Sequence, residues 1–436
     1  MRILMLSQFY PPIIGGEEQH VQALGVRLAS RGHDVAVVTL RHEGVAEFEL
    51  DQGVRVYRVR SSMQRASWLF SDSRRRYAPP FPDPEAMLGL RHIIVHERPE
   101  IVHAHNWLVH SFLPLKAWSG ARLIVTLHNY NLTCAKMTFL YHGTSCEGPG
   151  FTKCLDCAAQ YYGLVKGVPT VLANWVMGLA ERGAVDMFLP VSQAVAVGNG
   201  LVGSRLPVQV IPNFVLDDVG VTCSINRHPT DDSDSYLAQL PVEDYLLFVG
   251  ALGRSKGVDV LLRAYAGLTN APPLVLIGYQ TPDWSILAAN APHNVFVLKD
   301  WPRYAVMEAW RRSIMALVPS VWPEPCPTVV MEAMATGRPV IASRIGGVID
   351  LVADGETGFL VQPGDPSALR QAIERLLVNP NLRRHMGQAA LHKVVEFQAS
   401  TVVPRIEHVY EEVLLQKTEA SQRADTCWIN RHATDL

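Results

Sequence analysis

The sequence predicts an α/β protein made of two doubly wound domains, each a parallel sheet covered by helices on both faces. Three observations predict it. Short apolar strands alternate with amphipathic helices, the pattern of repeated βαβ units. The alternation fails once, at the polar, acidic stretch INRHPTDDSDS just beyond position 220, and then starts again. A chain of 436 residues also exceeds what one hydrophobic core comfortably fills.

In the first half, RILMLS reads as a buried strand and GGEEQHVQALGVRLASRG as a helix with Val21, Leu24 and Leu28 on one face. Strands are then expected at HDVAVVTL, VRVYRV, EIVHAH, ARLIVTL, MFLPVS and VQVIPN. The second series runs DYLLFVG, a helix from Gly257, PLVLIG, NVFVL, a helix around Val306, IMALVPS, a helix from Thr328 to Ala335, and RPVIAS. The expected domains are therefore residues 1–215 and 216–399. An amphipathic helix from Thr401 to Leu415, about residues 400–416, returns to pack on the first domain. Residues 417–436 have no packing face and read as a disordered tail.

Composition narrows the function. A hydrophobic share of 48%, a charged share of 18% and a net charge of −2 describe an ordinary globular chain and give no electrostatic case for nucleic acid. No apolar run is long enough to span a bilayer. The opening MRILMLSQFYPP reads as the first buried strand, not a signal peptide, so a cytoplasmic location is expected.

Chemistry concentrates in EPCPTVVMEAMATGRPVIAS. Glu324 lies on the loop feeding a helix, with Pro327 at its first position, and Glu332 lies about one turn inside. Between them the amides of the first turn lack intrahelical acceptors and suit an anion. Two carboxylates flanking such a helix end fit the hydroxyls and phosphates of a sugar nucleotide. Gly15 and Gly16 open the first helix, where they either admit a phosphate or simply make a tight turn. Arg254 and Lys256 follow a strand in ALGRSKG, near where a phosphate would rest or else solvated. His128, His103 and His105 each sit at a strand end, where structural hydrogen bonding is the common role. Local spacing does not separate His128 from the other two.

The ordered series GGEEQHVQALGVRLASRGHDVAVVTL, RPEIVHAHN, VTLHNYN, VIPNFV, VGALGRSKGVDVLL, the stretch from Glu324, IGGVIDLVADGETGFLV and PGDPSALRQAI resembles the retaining sugar-nucleotide glycosyltransferases of family 4. The resemblance runs to the C-terminal helix, and the two glutamates with seven residues between them are its most specific part. It implies the GT-B fold, two Rossmann-like domains with a cleft between them. It also implies that Glu324 holds the donor hexose and Glu332 the ribose. Amides near Thr328 and Val329, with Lys256, would meet the diphosphate. Gly16 would approach the donor and His128 would lie beside the transferred sugar. One departure stands out: Ala251 occupies a position where the family usually has Arg, and Arg254 is the nearest substitute.

The activity this resemblance implies is that of a hexosyl- or N-acetylhexosaminyl-transferase. It would use a nucleoside diphosphate sugar, most simply a UDP-sugar, with retention. The leaving phosphate would accept the proton, and no covalent nucleophile is evident. The acceptor would be a sugar, a lipid-linked sugar or a small molecule. No cofactor is required for this chemistry, and the one Asp-x-Asp, Asp232 and Asp234, falls in the polar stretch. A sugar-nucleotide epimerase and a non-catalytic nucleotide-sugar-binding partner are the alternatives. A phosphorylase would need a pyridoxal phosphate lysine, for which no signature is present.

Two further clusters stand apart. Cys134, Cys146, Cys154 and Cys157 end in Cys-x-x-Cys and suit a structural zinc ion, an iron–sulfur cluster or four reduced thiols. Between Arg55 and Arg76 lie seven arginines and one acid, Asp72, with Tyr57, Trp68 and Phe70 among them. That segment is either a solvated edge or a contact for a membrane surface or anionic acceptor.

Overall fold

The computed structural model describes all residues except 14, 66–76, 219–232, 290 and 433–436, and describes 233–234 and 417–432 by backbone alone. In the first half, β1 (Arg2–Leu6), β2 (Asp34–Leu40), β3 (Phe48–Asp51), β4 (Val54–Val59), β5 (Ile101–Ala104), β6 (Arg122–Leu127) and β9 (Met187–Pro190) form one sheet in the order β3-β4-β2-β1-β5-β6-β9. β7 (Leu140–Tyr141) and β8 (Thr144–Ser145) pair separately. In the second half, β10 (Leu246–Val249), β11 (Leu274–Ile277), β12 (Val295–Leu298), β13 (Met315–Val318), β14 (Val340–Ser343) and β15 (Gly358–Val361) form a sheet in the order β12-β11-β10-β13-β14-β15.

Both large sheets are parallel except where β3 runs antiparallel to β4. In the first, Leu4 faces Ala36 on one side and Val102 on the other, and the inner strands are buried on both faces. That explains their near-continuous apolar runs. Each order reverses once, between β1 and β5 and between β10 and β13. Crevices at the carboxyl ends of strands open at such reversals.

Two strand expectations need correction. FELD becomes the edge strand β3, which apolar patterning did not signal because its residues are only exposed or half-buried. VQVIPN is not a strand. It forms a single bridge, Val208 to Phe188, and bonds β9 from one side, Gln209 N to Phe188 O at 3.0 Å and Ile211 N to Pro190 O at 3.1 Å. Pro207 just before it and Pro212 within it have no N–H to extend a ladder.

The C-terminal helix runs Ala399–His432, beyond the expected end at Leu415 and through most of the expected tail. Its early part buries Val402, Val403, Ile406, Val409, Tyr410 and Val413 in the same cluster as Leu24, Leu28 and Val35 of the first half. Full burial of each such side chain stabilises by roughly 1.5–3 kcal/mol. Glu407 bonds Arg31 Nε at 2.7 Å and His33 Nε2 at 2.8 Å. Later residues such as Lys417, Glu419, Ala420 and Gln422 are good helix formers, which accounts for the continuation. The chain passes between its halves twice, side by side: Val215 N donates to Phe397 O and Ala399 N to Val215 O. Among the described residues, no helix is long and apolar enough to cross a membrane.

Candidate active site

The expected site residues of the second half come together at the β10/β13 reversal. The turn Arg254–Lys256 follows β10, and the loop 319–327 follows β13. Val321 N donates to Ser255 O at 3.1 Å, which locks one loop to the other. Gly257 lies at φ +70, and a Cβ there would strike the Pro319 carbonyl, so only glycine allows this approach.

Lys256 Nζ consequently reaches Glu324 Oε1 at 2.6 Å, and Ser320 Oγ donates to the same oxygen at 2.6 Å. Glu324 is only 4% exposed, and a carboxylate so buried requires this pairing. The Lys256 ammonium also stands 5.2 Å over the Trp322 ring. Behind Glu324, Gly347 N donates to its backbone oxygen at 2.6 Å. Side chains at Gly346 or Gly347 would collide with the Glu324 and Pro325 backbone, so this pair seats the loop.

The helix spans Thr328–Ala335, as expected, but Pro327 is its N-cap and Thr328 its first residue. Thr328 and Val329 are half-buried, and as the first two helical residues their amides have no intrahelical acceptor. Glu332 is buried on this helix and pairs with Arg303 Nη2 at 3.0 Å. Arg303 also donates to Gln19 Oε1 at 3.0 Å, spanning from the second half to the first. Arg254 is exposed, with its backbone N bonded to Asp283 Oδ2 at 2.9 Å. Ala251, at the position of the family's arginine, is buried.

The first half contributes neutral groups. The Gly16–Ser30 helix begins beside Gly15, and a Cβ on Gly16 would meet nothing within 4 Å, so its backbone borders open space. His105 and His128 follow β5 and β6, and His105 Nδ1 lies 3.0 Å from His128 Nε2. His20 packs edge-on to His128, ring centroids 4.9 Å apart. Burial holds His128 down at about 4, and burial with mutual repulsion holds His20 and His105 well below the usual histidine range. His103, with its ring centroid 4.3 Å from that of His105, has both ring nitrogens occupied: it bonds the Tyr410 hydroxyl at 2.6 Å and Thr126 Oγ1 at 2.7 Å, a structural role, and burial with repulsion from His128 takes it down to about 3. The sequence left these histidines alike. The structure separates His103 from His105 and His128.

Four contacts besides Arg303–Gln19 bring the halves together around Glu324. The Tyr130 hydroxyl donates to Pro323 O at 2.9 Å, Asn213 Nδ2 to Cys326 O at 3.2 Å, and Gln193 N to Asp350 Oδ2 at 2.8 Å. Gly347 stands close against Ser192. Sequence reasoning missed Ser320, Arg303 and His20. Ser320 and Arg303 lie just beyond the carboxyl ends of β13 and β12, where position alone could have flagged them. His20 lay inside a quoted motif read only as helix.

The remaining expectations divide. Arg55 pairs with Glu97 at 2.6 Å, Arg58 with Glu49 at 2.6 Å and Arg65 with Glu85 at 2.5 Å, so these cations are used within the fold. Trp68, Phe70, Asp72 and the arginines at 74–76 lie outside the described residues, as does Asp232.

Two family models divide the chain. Residues 14–218 match Glycosyltransferase Family 4, and residues 238–393 match Glycosyl transferases group 1. The glycogen synthase of Mycobacterium tuberculosis is 25% identical over 446 residues, covering 94% of each chain. The D-inositol 3-phosphate glycosyltransferase of Acidothermus cellulolyticus is 33% identical over 202 residues, 42% of this chain and 45% of the relative. Sucrose-phosphate synthase of Thermosynechococcus elongatus superposes with a TM-score of 0.72 at 21% identity, covering 95% of this chain and 99% of that one. HepE of Anabaena, solved in complex with UDP and glucose, superposes at 0.66 with 17% identity, covering 94% and 100%. The chain belongs to glycosyltransferase family 4, has the GT-B fold and is a glycosyltransferase.

Proposed function

We propose that this enzyme moves a hexosyl or N-acetylhexosaminyl group from a nucleoside diphosphate sugar, a UDP-sugar by preference, to an acceptor hydroxyl with retention of configuration. The observation that carries the reading is the arrangement of Glu324, Lys256 and Ser320 beside the Thr328–Ala335 helix end, with Glu332 one turn further on. In it, Glu324 receives hexose hydroxyls through Oε2, because Lys256 and Ser320 both hold Oε1. Glu332 receives the ribose hydroxyls. The amides of Thr328 and Val329 and the Lys256 ammonium face the diphosphate. Gly15 and Gly16 approach it from the first half, with Arg254 at the rim.

A nucleoside diphosphate sugar donor is supported by proteins of the same fold solved with UDP, with UDP-glucose and with ADP, and the first two of these motivate the choice of UDP. As the bond to the anomeric carbon breaks, negative charge grows on the leaving phosphate, where Lys256 and the helix end stabilise it without reorganising. That phosphate oxygen takes the acceptor's proton on the same face. His128 lies beside the sugar as a neutral hydrogen-bonding group, not as an acid at neutral pH. The positive charge needed at the phosphate comes from the protein, so catalysis proceeds without a divalent metal.

The test is product analysis with a panel of UDP-, GDP- and ADP-sugars. UDP release with a product whose anomeric configuration matches the donor, undiminished by excess EDTA, is expected. An inverted product, or strict dependence on manganese or magnesium, would overturn the mechanism.

A further inference from the structure

The four clustered cysteines all line one small cavity outside the donor cleft, and we propose that this cavity is a structural zinc site. Cys134 comes from the turn after β6 and Cys146 from just after β8, while Cys154 and Cys157 lie on the Phe151–Tyr162 helix. The cavity they share, with Lys136, Phe139, Tyr141 and Lys153, measures about 30 Å³. That admits an ion. Organic ligands occupy pockets of about 300 Å³ or more.

Three features of the segment point to a metal. The first is hydrogen bonding to sulfur. The backbone amides of Lys136 and Phe139 are directed at Cys134 Sγ, Gly150 N donates to Cys154 Sγ at 3.4 Å, and Lys136 Nζ stands 3.2 Å from Cys157 Sγ. Donors arranged around sulfur are the outer contacts that orient a metal's thiolate ligands.

The second is the backbone. Met137, Phe139 and His142 adopt φ of 63°, 54° and 47°, a left-handed conformation costly for side chains of this size, and all three fall within six residues. The third is the lack of apolar support. Cys134, Met137 and Phe139 lean on the main core, but the local cluster beside Cys154 has only Ala135, Ala158 and Val171 buried. A segment with so small a core needs another constraint to order it.

No three of the four sulfurs lie within 4.8 Å of one another. Among the described residues, His20, His105 and His128 are the one trio of metal-capable side chains with ligand atoms within 4.8 Å of one another. Tetrahedral zinc with Zn–S bonds of about 2.3 Å would place the sulfurs about 3.8 Å apart. Two of the thiols are turned to backbone carbonyls instead of to their neighbours. Cys146 Sγ is turned to Gly148 O at 3.3 Å and Cys157 Sγ to Leu140 O at 3.6 Å, both as S–H donors. On binding, the four thiols release four protons to solvent and form four Zn–S bonds. These two lose their reason to face a carbonyl and rotate inward. The resulting site carries a charge of −2, which Lys136 and Lys153 on the cavity wall offset.

The site supports the interdomain contact. Cys134 N donates to Tyr130 O at 2.8 Å, Cys146 N donates to Phe139 O at 2.8 Å, and Phe139 stacks on Tyr130 with centroids 4.8 Å apart. Tyr130 then reaches Pro323, next to Glu324. Zinc therefore pins the segment that carries this contact.

The experiment uses full-length protein purified without a metal-affinity tag from zinc-replete medium. Elemental analysis should find about one zinc per chain. Titration with a mercurial should release it, read with a chromogenic chelator, as four thiols react. Hydrogen exchange across 134–162 should rise on release while both large sheets stay protected, and Cys157→Ser should hold less than half an equivalent. Less than a tenth of an equivalent of zinc in the wild-type protein overturns the proposal, as would iron in its place or disulfides among the four. None of these measurements depends on the donor-site reading.

Discussion

The two walls of the cleft are built from opposite electrostatics. The second half presents buried carboxylates, each matched to a cation: Glu324 to Lys256 and Glu332 to Arg303. The first half presents His20, His105 and His128, which burial keeps uncharged. Pairing offsets part of the cost of burying these carboxylates while the cleft is empty, and the cations can be re-paired when a diphosphate and its sugars arrive. Neutral rings offer hydrogen bonds without adding charge where the transferred group would sit. Under the proposed function, the second wall would meet the diphosphate and the sugar hydroxyls with charged groups, and the first would add only neutral contacts beside the transferred sugar.

The hardest strike against this contrast is Glu324→Ala. It removes the carboxylate that holds Lys256 and should lower kcat by about 10²–10³-fold, the scale of losing a group that acts on the transition state. Titration calorimetry should find UDP binding intact, because UDP lacks the hexose. A variant with normal turnover would show that the second wall does not handle the reacting sugar.

Lys256→Ala comes next. It leaves Glu324 buried beside Ser320 alone and withdraws the cation from the diphosphate, so UDP affinity should fall about ten- to a hundredfold, the scale of losing a hydrogen bond to a charged group. Glu332→Ala should weaken UDP and UDP-sugar alike by about tenfold. Unchanged UDP affinity in Glu332→Ala would detach this carboxylate from the ribose.

These variants rest on residues that the sequence made legible to different degrees. The Thr328–Ala335 helix and its two glutamates were readable because Pro327, Gly337 and Pro339 punctuate a short apolar run. The parallel strands were readable for the same reason: burial on both faces leaves continuous apolar runs. The partners of those glutamates were not. Arg303 meets Glu332 across 29 positions and Lys256 meets Glu324 across 68, and no local period records such pairings. Edge strand β3 was invisible because nothing about it is deeply buried. The histidines could be located at strand ends, but which of them faced inward depended on Tyr410, some 300 residues away.

A change of pH tests the neutral wall. His128, His103, His20 and His105 all sit below the usual histidine range in the folded protein. The folded state therefore binds fewer protons than the unfolded chain between about pH 6.5 and each lowered value. Their contribution is complete above about pH 6.5 and is lost as pH falls toward about 4 for His128 and about 3 for His103. The melting temperature should drop across that acid range, with a stability loss of several kcal/mol. His103→Asn should flatten the drop. Activity should show no histidine inflection between about pH 6.5 and 8. A clear inflection there, abolished in His128→Gln, would mean that the first wall carries charge after all.

Tyr130→Phe is the mildest variant and the one that asks whether the two walls act together. The Tyr130 hydroxyl is the group that joins the turn after β6 to the Pro323 carbonyl, one residue before Glu324. Its ring is held independently by Phe139 and packs against Gly198, so removing one oxygen should leave the packing in place. What is lost is a single buried hydrogen bond, about 1 kcal/mol, or roughly a fivefold effect. Free UDP, held chiefly by Lys256, Glu332 and the helix end of the second wall, should bind nearly as before. The value of kcat/KM for the intact donor should fall about fivefold, because the sugar is reached only when the first wall is drawn up to it. Equal losses for UDP and donor would show that Tyr130 merely supports the Glu324 loop. A loss of melting temperature with kinetics unchanged would show that the walls need not be held together by this bond.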